Sequence, residues 1–343
     1  MRSARFGAGF LGHTSSANGL DRLRRAARIC EDGGMDSFWV ADQRWMRDVY
    51  VSLTDIAACT KHLSLGTRVT DPYVRHPGLT AVAIASLDEA SGGRAVLGIG
   101  AGGSGFTQMG ISRPKPAVAI REAIEVIRRL WSGEDFEYHG RVITWERGRL
   151  EFECRPNIPI VIAARGPLIL ELAGEVADGA IVASGVSPSG VAWARERIAV
   201  GERRAKREGS TQLLHMTYLT IHSDRALARQ VVKKGIVGAV SGSHPTYDFL
   251  LANGLEIPSD LYEYLDSGAR ENRRIMDLIP DSFVDKLAIA GTIEECGNQL
   301  QQLLDAGIDE PLLSPIPVEA GGELEILTAF VTEILPSLRQ RSM

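Results

Sequence analysis

Short apolar runs of β-type residues alternate along this chain with longer segments whose apolar positions recur at helical spacing. The stretch from Leu63 to Gly103, LSLGTRVTDPYVRHPGLTAVAIASLDEASGGRAVLGIGAGG, carries one such cycle whole: strand, loop, helix, strand and glycine-rich turn. Pro77 suits the first turn of its helix, where an amide N–H would have no partner and φ is already helical. Ser91, Gly92 and Gly93 end that helix, and Arg94 opens the next strand.

The cycle repeats on both sides. Strands are expected at Ala4 to Phe10, Ser37 to Ala41, Leu63 to Val69, the AVLGI run, Ile158 to Ala164, Gly179 to Ser184, Leu213 to His222 and Glu310 to Ile316. Helices are expected from Asn18 to Asp32, Val49 to Thr60, Pro77 to Glu89, Lys115 to Trp131, Leu168 to Val176, Pro188 to Glu208, Thr292 to Ala306 and Glu323 to Leu338. Two segments break the rhythm. One, at about 134–157, contains FEYHG and RVITWERG and reads as an inserted hairpin. The other, at about 240–281, is helical and rich in Tyr and Asp, which suggests an insertion capping one face. Eight strands each followed by a helix predict an α/β fold of the TIM (β/α)8 barrel type. A doubly wound sheet in two domains competes with it, but no linker or composition shift divides the chain. A single domain over residues 1–343 is therefore expected.

Composition narrows the function more than the fold. A hydrophobic content of 44% supports a packed core, and a net charge of −5 gives no whole-chain reason to expect nucleic acid or an anionic membrane as partner. Cys30, Cys59, Cys154 and Cys296 lie far apart without CxxC or zinc spacing, as a reduced cytoplasmic protein would have them. FGAGFLGH near the N-terminus is too short and glycine-rich for a signal-peptide core, and no later segment reaches membrane-spanning length.

In a TIM barrel the chemistry sits at the C-terminal ends of the strands. Those ends are Gly9 to His13, Asp42 to Trp45, Thr67 to Asp71, Gly100 to Gly103, Ala164 to Pro167, Ser184 to Gly185, Tyr218 to His222 and Ser314 to Pro317. Their glycines either turn the chain or let a flat ligand or phosphate approach the backbone. The run from Gly98 to Gly105 matches GxGxxG, but Arg113, Pro114 and Pro116 delay the next helix and no acidic ribose partner follows, so a dinucleotide fingerprint is rejected. Asp42 ends a buried strand and is equally readable as a site residue or a structural cap. Arg75-His76-Pro77 is readable as a phosphate clamp or a helix cap. No metal-binding spacing, GxSxG elbow or Ser/His/Asp order is present, so redox chemistry would come from a bound cofactor.

Asp42 followed by RDVYVSL, then VTDPYVRHPGLTAVAIASLDEASGGRAVLGIGAG, IPIVIAARGPLILELAGEVADGAIVAS and LLSPIP, together resemble the bacterial-luciferase-like superfamily, and within it the methylenetetrahydromethanopterin reductases. The resemblance runs nearly end to end. It implies a TIM barrel with coenzyme F420 across its C-terminal mouth, FMN being the cofactor of other branches, and a homodimer or larger homo-oligomer acting on a small molecule. Asp42 would lie beside the deazaflavin ring. Thr67, Arg68 and Val69 would form the bulge behind it, with a non-prolyl cis peptide between Arg68 and Val69. Gly100, Ala101, Gly102 and Gly103 would line the ring edge, while Ala164, Arg165, Gly166, Pro167, Ser184 and Gly185 would receive the phosphate-bearing tail. Two positions depart from the family pattern: Gly9 replaces a Glu near the end of strand one, and Gln43 replaces a His after Asp42. Gln43 hydrogen-bonds but cannot act as an acid, which makes His13 the candidate replacement acid. The resulting expectation is an F420-dependent reductase acting on a methylene-tetrahydropterin, a folate or a carbonyl compound. An FMNH2-dependent monooxygenase and a non-catalytic F420-binding protein are the alternatives.

Overall fold

The apolar runs form strands because helices cover them on one side and a packed barrel interior fills the other. Both β1 (Gly7–Phe10) and β2 (Ser37–Val40) are buried at every position, the pattern of a fully covered parallel sheet. A computed structural model describes residues 4–10, 18–103 and 105–341. The remaining strands are β3 (Ser64–Thr67), β4 (Ala95–Ile99), β5 (Phe136–His139), β6 (Thr144–Gly148), β7 (Ile160–Ala164), β8 (Gly179–Val182), β9 (Gln212–Ile221), β10 (Ile289–Gly291) and β11 (Glu310–Pro315). Strands β11, β1, β2, β3, β4, β7, β8 and β9 pair in that order, all parallel, and β9 returns to β11. The sheet is closed, as the alternating pattern predicts, and the open doubly wound alternative is excluded.

Strand β9 is long enough to take two neighbours on one side. Its first half pairs with β8 through Gln212 to His215, and its upper end pairs with β10, where Leu219 faces Ile289. Strand β10 escapes the sequence pattern because three residues are too few to show a period. Strands β5 and β6 make the expected antiparallel hairpin, with Tyr138 opposite Trp145. The buried Glu122 carboxylate anchors it by accepting from the backbone N–H groups of Arg141, Val142 and Ile143 at 2.7 to 2.9 Å.

The second insertion is larger than the pattern suggests. It begins with helix Arg225–Ser243 and continues through Asp248–Ala252, Ser259–Asp266, Asn272–Leu278 and Asp281–Leu287. These helices carry their own apolar cluster, centred on Val232, Ile236, Phe249, Leu261 and Phe283.

Inside the barrel, Trp39, Val161, Ile181, Leu214 and Leu312 fill the middle layer. The Trp39 indole lies where a Cβ on Gly66 would be, so this glycine makes room for the largest interior side chain. Below it, Trp39 Nε1 donates to Ser37 Oγ at 2.7 Å, and Ser37 hydrogen-bonds Glu310. Arg5 closes the lower end, with Nε 3.1 Å from Glu310 Oε2.

Candidate active site

The upper end of β3 does not stop at Thr67. The N–H of Arg68 donates to the Val40 carbonyl at 2.7 Å, and the Arg68–Val69 peptide is cis, as the resemblance implies. Pairing with β4 then resumes, with Thr70 N–H on the Gly98 carbonyl at 3.0 Å and Gly100 N–H on the Thr70 carbonyl at 2.9 Å. This backbone path brings Asp42, Val69, Thr70 and Gly100 to one side of the mouth.

Asp42 Oδ2 accepts from Thr70 Oγ1 at 2.7 Å. Arg44 donates to the Asp42 carbonyl at 2.9 Å, and its Nη1 stands 3.4 Å from Asp42 Oδ1. The far side of the Arg44 guanidinium pairs with Asp71, whose side chain is only 1% exposed. That carboxylate also takes the N–H groups of Tyr73 and Val74 at 2.9 and 3.0 Å, an Asx turn ahead of the next helix. Burial pushes the Asp42 carboxyl above the usual aspartate range, with Thr70 and Arg44 pulling the other way. Asp42 is thus a side-chain acceptor poised at the mouth and not a helix cap.

The glycine loop lies over the same region. A Cβ on Gly100 would come 2.8 Å from Val69 Cγ2, and one on Gly102, at φ 76°, would run into the Phe106 ring. Phe106 is held between two cations, Arg44 at 5.2 Å and Arg113 at 4.7 Å from its centroid. Arg113 also donates to the Gly102 carbonyl at 3.0 Å, so the loop is folded back onto the residues beside Asp42. Ala101 is half-buried within it, Gly103 is exposed, and no helix opens before Pro116. Thr67 plays a different part, because its hydroxyl both donates to the Gly98 carbonyl (2.7 Å) and accepts from the Gly98 N–H (2.9 Å), locking β3 to β4. Gln43 stands half-buried in the loop after β2, next to Asp42.

A second cluster forms after β7 and β8. Ala164 ends β7 and Gly166 precedes helix Pro167–Val176. Arg165 Nη1 donates to the Ala239 carbonyl at 2.9 Å and to Ser243 Oγ at 3.2 Å, at the C-terminal end of helix Arg225–Ser243. Ser184 is fully buried and its Oγ has no hydrogen-bond partner. The following Gly185, at φ 92°, sits against Asn253. Buried Asn253 reaches from the insertion, with Nδ2 donating to the Ser184 carbonyl at 2.5 Å and to Phe249 at 2.6 Å. His215 supports the turn from the opposite side. Its Nε2 lies 3.1 Å from the Gly185 carbonyl, and burial pushes its imidazole down to about 4, so the neutral ring donates there at pH 7.

His13 lies outside the described residues. His76 caps helix Pro77–Ser91 by accepting from Gly78 N–H at 3.1 Å, while Arg75 stacks over Tyr50 at 4.7 Å, so this tripeptide takes its helix-cap reading. Among the described residues no group of His, Cys, Asp or Glu could hold a metal, and no helix is long and apolar enough to cross a membrane. Arg44, Thr70 and Asp71 fall within the strand ends named from the pattern but without the positioning role they take here, and Asn253 and His215 are the positioning residues that pattern reading missed. Only Asp71 carries a local signal, the Asp-Pro turn at its position.

Residues 4–310 match the family model described as "Luciferase-like monooxygenase". The chain belongs to this family. This luciferase-like chain is 33% identical over 324 residues to the 5,10-methylenetetrahydromethanopterin reductase of Archaeoglobus fulgidus, covering 92% of this chain and 96% of the relative. The enzyme of the same name from Methanolobus tindarius is 32% identical, over 84% of this chain and 88% of the relative. Among solved structures, the coenzyme F420 dependent tetrahydromethanopterin reductase from Methanopyrus kandleri superimposes with a TM-score of 0.84 at 26% identity, across 98% of this chain and 99% of the other.

Proposed function

We propose that this luciferase-like protein is an F420-dependent oxidoreductase of the methylenetetrahydromethanopterin reductase type, acting on a small organic substrate. The observation that carries the reading is the near end-to-end likeness, in sequence and in barrel, to reductases named for that activity. The mouth fits such a cofactor. Gly100 packs on Val69 with no room for a side chain, which offers bare backbone to a flat ring, and the orphaned Ser184 hydroxyl calls for a hydrogen-bonding ligand.

When bound, F420 supplies a hydride donor or acceptor. Asp42, Val69, Gly100, Ala101 and Gly102 would hold the ring. Ala164, Gly166, Pro167, Ser184 and Gly185 would receive the tail, with Arg165 adding positive charge from the helix end. Asp42 Oδ1, raised in pKa and turned toward Arg44, would exchange a proton with the bound ligand, and Gln43 would donate a hydrogen bond beside it. Phe106, clamped by Arg44 and Arg113, would exclude water. We also read the protein as cytoplasmic and as a homodimer or larger assembly.

Titration with F420 and, in parallel, with FMN tests the reading by fluorescence and thermal shift. Saturable F420 binding with negligible FMN binding is expected, followed by hydride transfer to a methylene-tetrahydropterin, a folate or a carbonyl acceptor. Preferential FMN binding with oxygen consumption would overturn it in favour of a monooxygenase. Asp42→Asn should lower kcat/KM on the order of 10²-fold, the scale of a lost general acid or base.

A further inference from the structure

Arg68 enters the barrel mouth from the end of β3 and crosses to β1 and β11. A Cβ on Gly9 would run into its Nη1 and Cζ, so the guanidinium lies in the space that any side chain at position 9 would need. Its Nη1 donates to Ser314 Oγ at 2.7 Å. Its Nε is buried with no partner, and among the described residues no carboxylate pairs with it. Asp42, the acidic side chain at the end of β2, is occupied by Thr70 and Arg44. Burial pushes the Arg68 guanidinium down to about 10, with the phenol of Tyr218 acting the other way. An unpaired buried cation is strongly disfavoured, and structures normally offset that with a counter-charge. Arg68 is only half-buried as a residue and stands at a strand end, so a ligand in the mouth can provide one.

We propose that Gly9, Arg68 and Ser314 form a subsite for a carboxylate, and that, among the acceptors named above, this enzyme takes a carbonyl compound carrying one beside its reacting centre. The planar fork of arginine matches two carboxylate oxygens, and the Ser314 hydroxyl adds a third polar contact. Glycine at position 9 is part of the device, since a larger residue would displace the guanidinium. The inference rests on the proposed function for its choice of substrate over cofactor as the source of the anion.

The test measures binding, by calorimetry and thermal shift, of benzoate and of the matched neutral benzamide, to apo protein and to protein saturated with F420. Benzoate is expected to bind saturably and benzamide not. Arg68→Met should weaken benzoate at least tenfold. Gly9→Glu, which places an internal carboxylate against the guanidinium, should give the same loss, and it serves if Arg68→Met does not fold. Equal binding of benzoate and benzamide, or benzoate affinity unchanged in both variants, would overturn the subsite. Loss of F420 affinity with benzoate unaffected would assign the anion to the cofactor and overturn the substrate inference. Failure of the wild type to bind F420 would sink the functional reading instead, leaving the benzoate measurement on apo protein to stand by itself.

Discussion

At the lower end of the barrel, Glu310 is buried and every neighbour serves it: Ser37 hydrogen-bonds it, Arg5 pairs with it, and Trp39 closes the space above through Ser37. At the upper end, Arg68 and Ser184 are buried against no partner at Nε and Oγ, while Asp42 retains 26% of its side-chain exposure. Both ends bury polar groups inside one closed sheet, but the lower one pairs its buried carboxylate with Arg5, whereas, among the described residues, the upper one leaves Arg68 without a counter-charge and Ser184 Oγ without a hydrogen bond. Buried polar groups cost free energy unless hydrogen-bonded, so the lower network contributes to folding and the upper one leaves contacts for a ligand to complete. This is the division expected of a TIM barrel, with stability at the N-terminal face and chemistry at the C-terminal face.

Substitutions at the two ends should separate these roles. The largest effect is expected from Trp39→Ala, which empties the middle of the barrel beside Gly66 and should cost about 3–5 kcal/mol of stability. Chemical denaturation measures it. F420 affinity of the protein that remains folded should stay near that of the wild type, and a proportionate loss of binding would erase the distinction between the ends. Gly102→Ala should do the reverse. Its Cβ would strike Phe106 and its φ of 76° disfavours any other residue. F420 binding should weaken about tenfold, roughly 1.4 kcal/mol, with a smaller drop in denaturation midpoint than Trp39→Ala gives.

The smallest effect is a pH slope. Burial raises the Glu310 carboxyl above its ordinary 4.5 in the folded chain, with Arg5 and Ser37 opposing. Between 4.5 and that raised value the folded state holds more protons than the unfolded state, so stability falls as pH rises through this window. Glu310→Gln should flatten that part of the curve, measured by denaturation at a series of pH values.

Most of the barrel is legible along the chain. Strands buried on both faces read as apolar runs, and the covering helices read as amphipathic ones with glycine or proline at their ends. The exceptions have local causes: β10 is too short to show a period, and helix Arg225–Ser243 merges with an insertion that packs on its own cluster. The site is legible in a different way. Asp42 and Gly100 stand at strand ends, where barrel geometry makes them candidates. Thr67 stands there too, but its hydroxyl is consumed by Gly98. Thr70 stands there as well, but its hold on Asp42 is not legible along the chain because the contact joins two strand ends 28 positions apart.

By itself the sequence determined the order of elements, the closed α/β architecture and the family, since each rests on periodicity, turn residues or contiguous motifs. Only the tertiary structure decided which polar atoms find partners. That Arg44 joins Asp42 to Asp71, that Asn253 from the insertion holds the Ser184 turn, and that Arg68 lies across Gly9 without a counter-charge are all contacts between distant segments. Hydrogen bonds and ion pairs act over a few ångströms in space, whatever the separation along the chain, so their satisfaction becomes visible only once the barrel has closed.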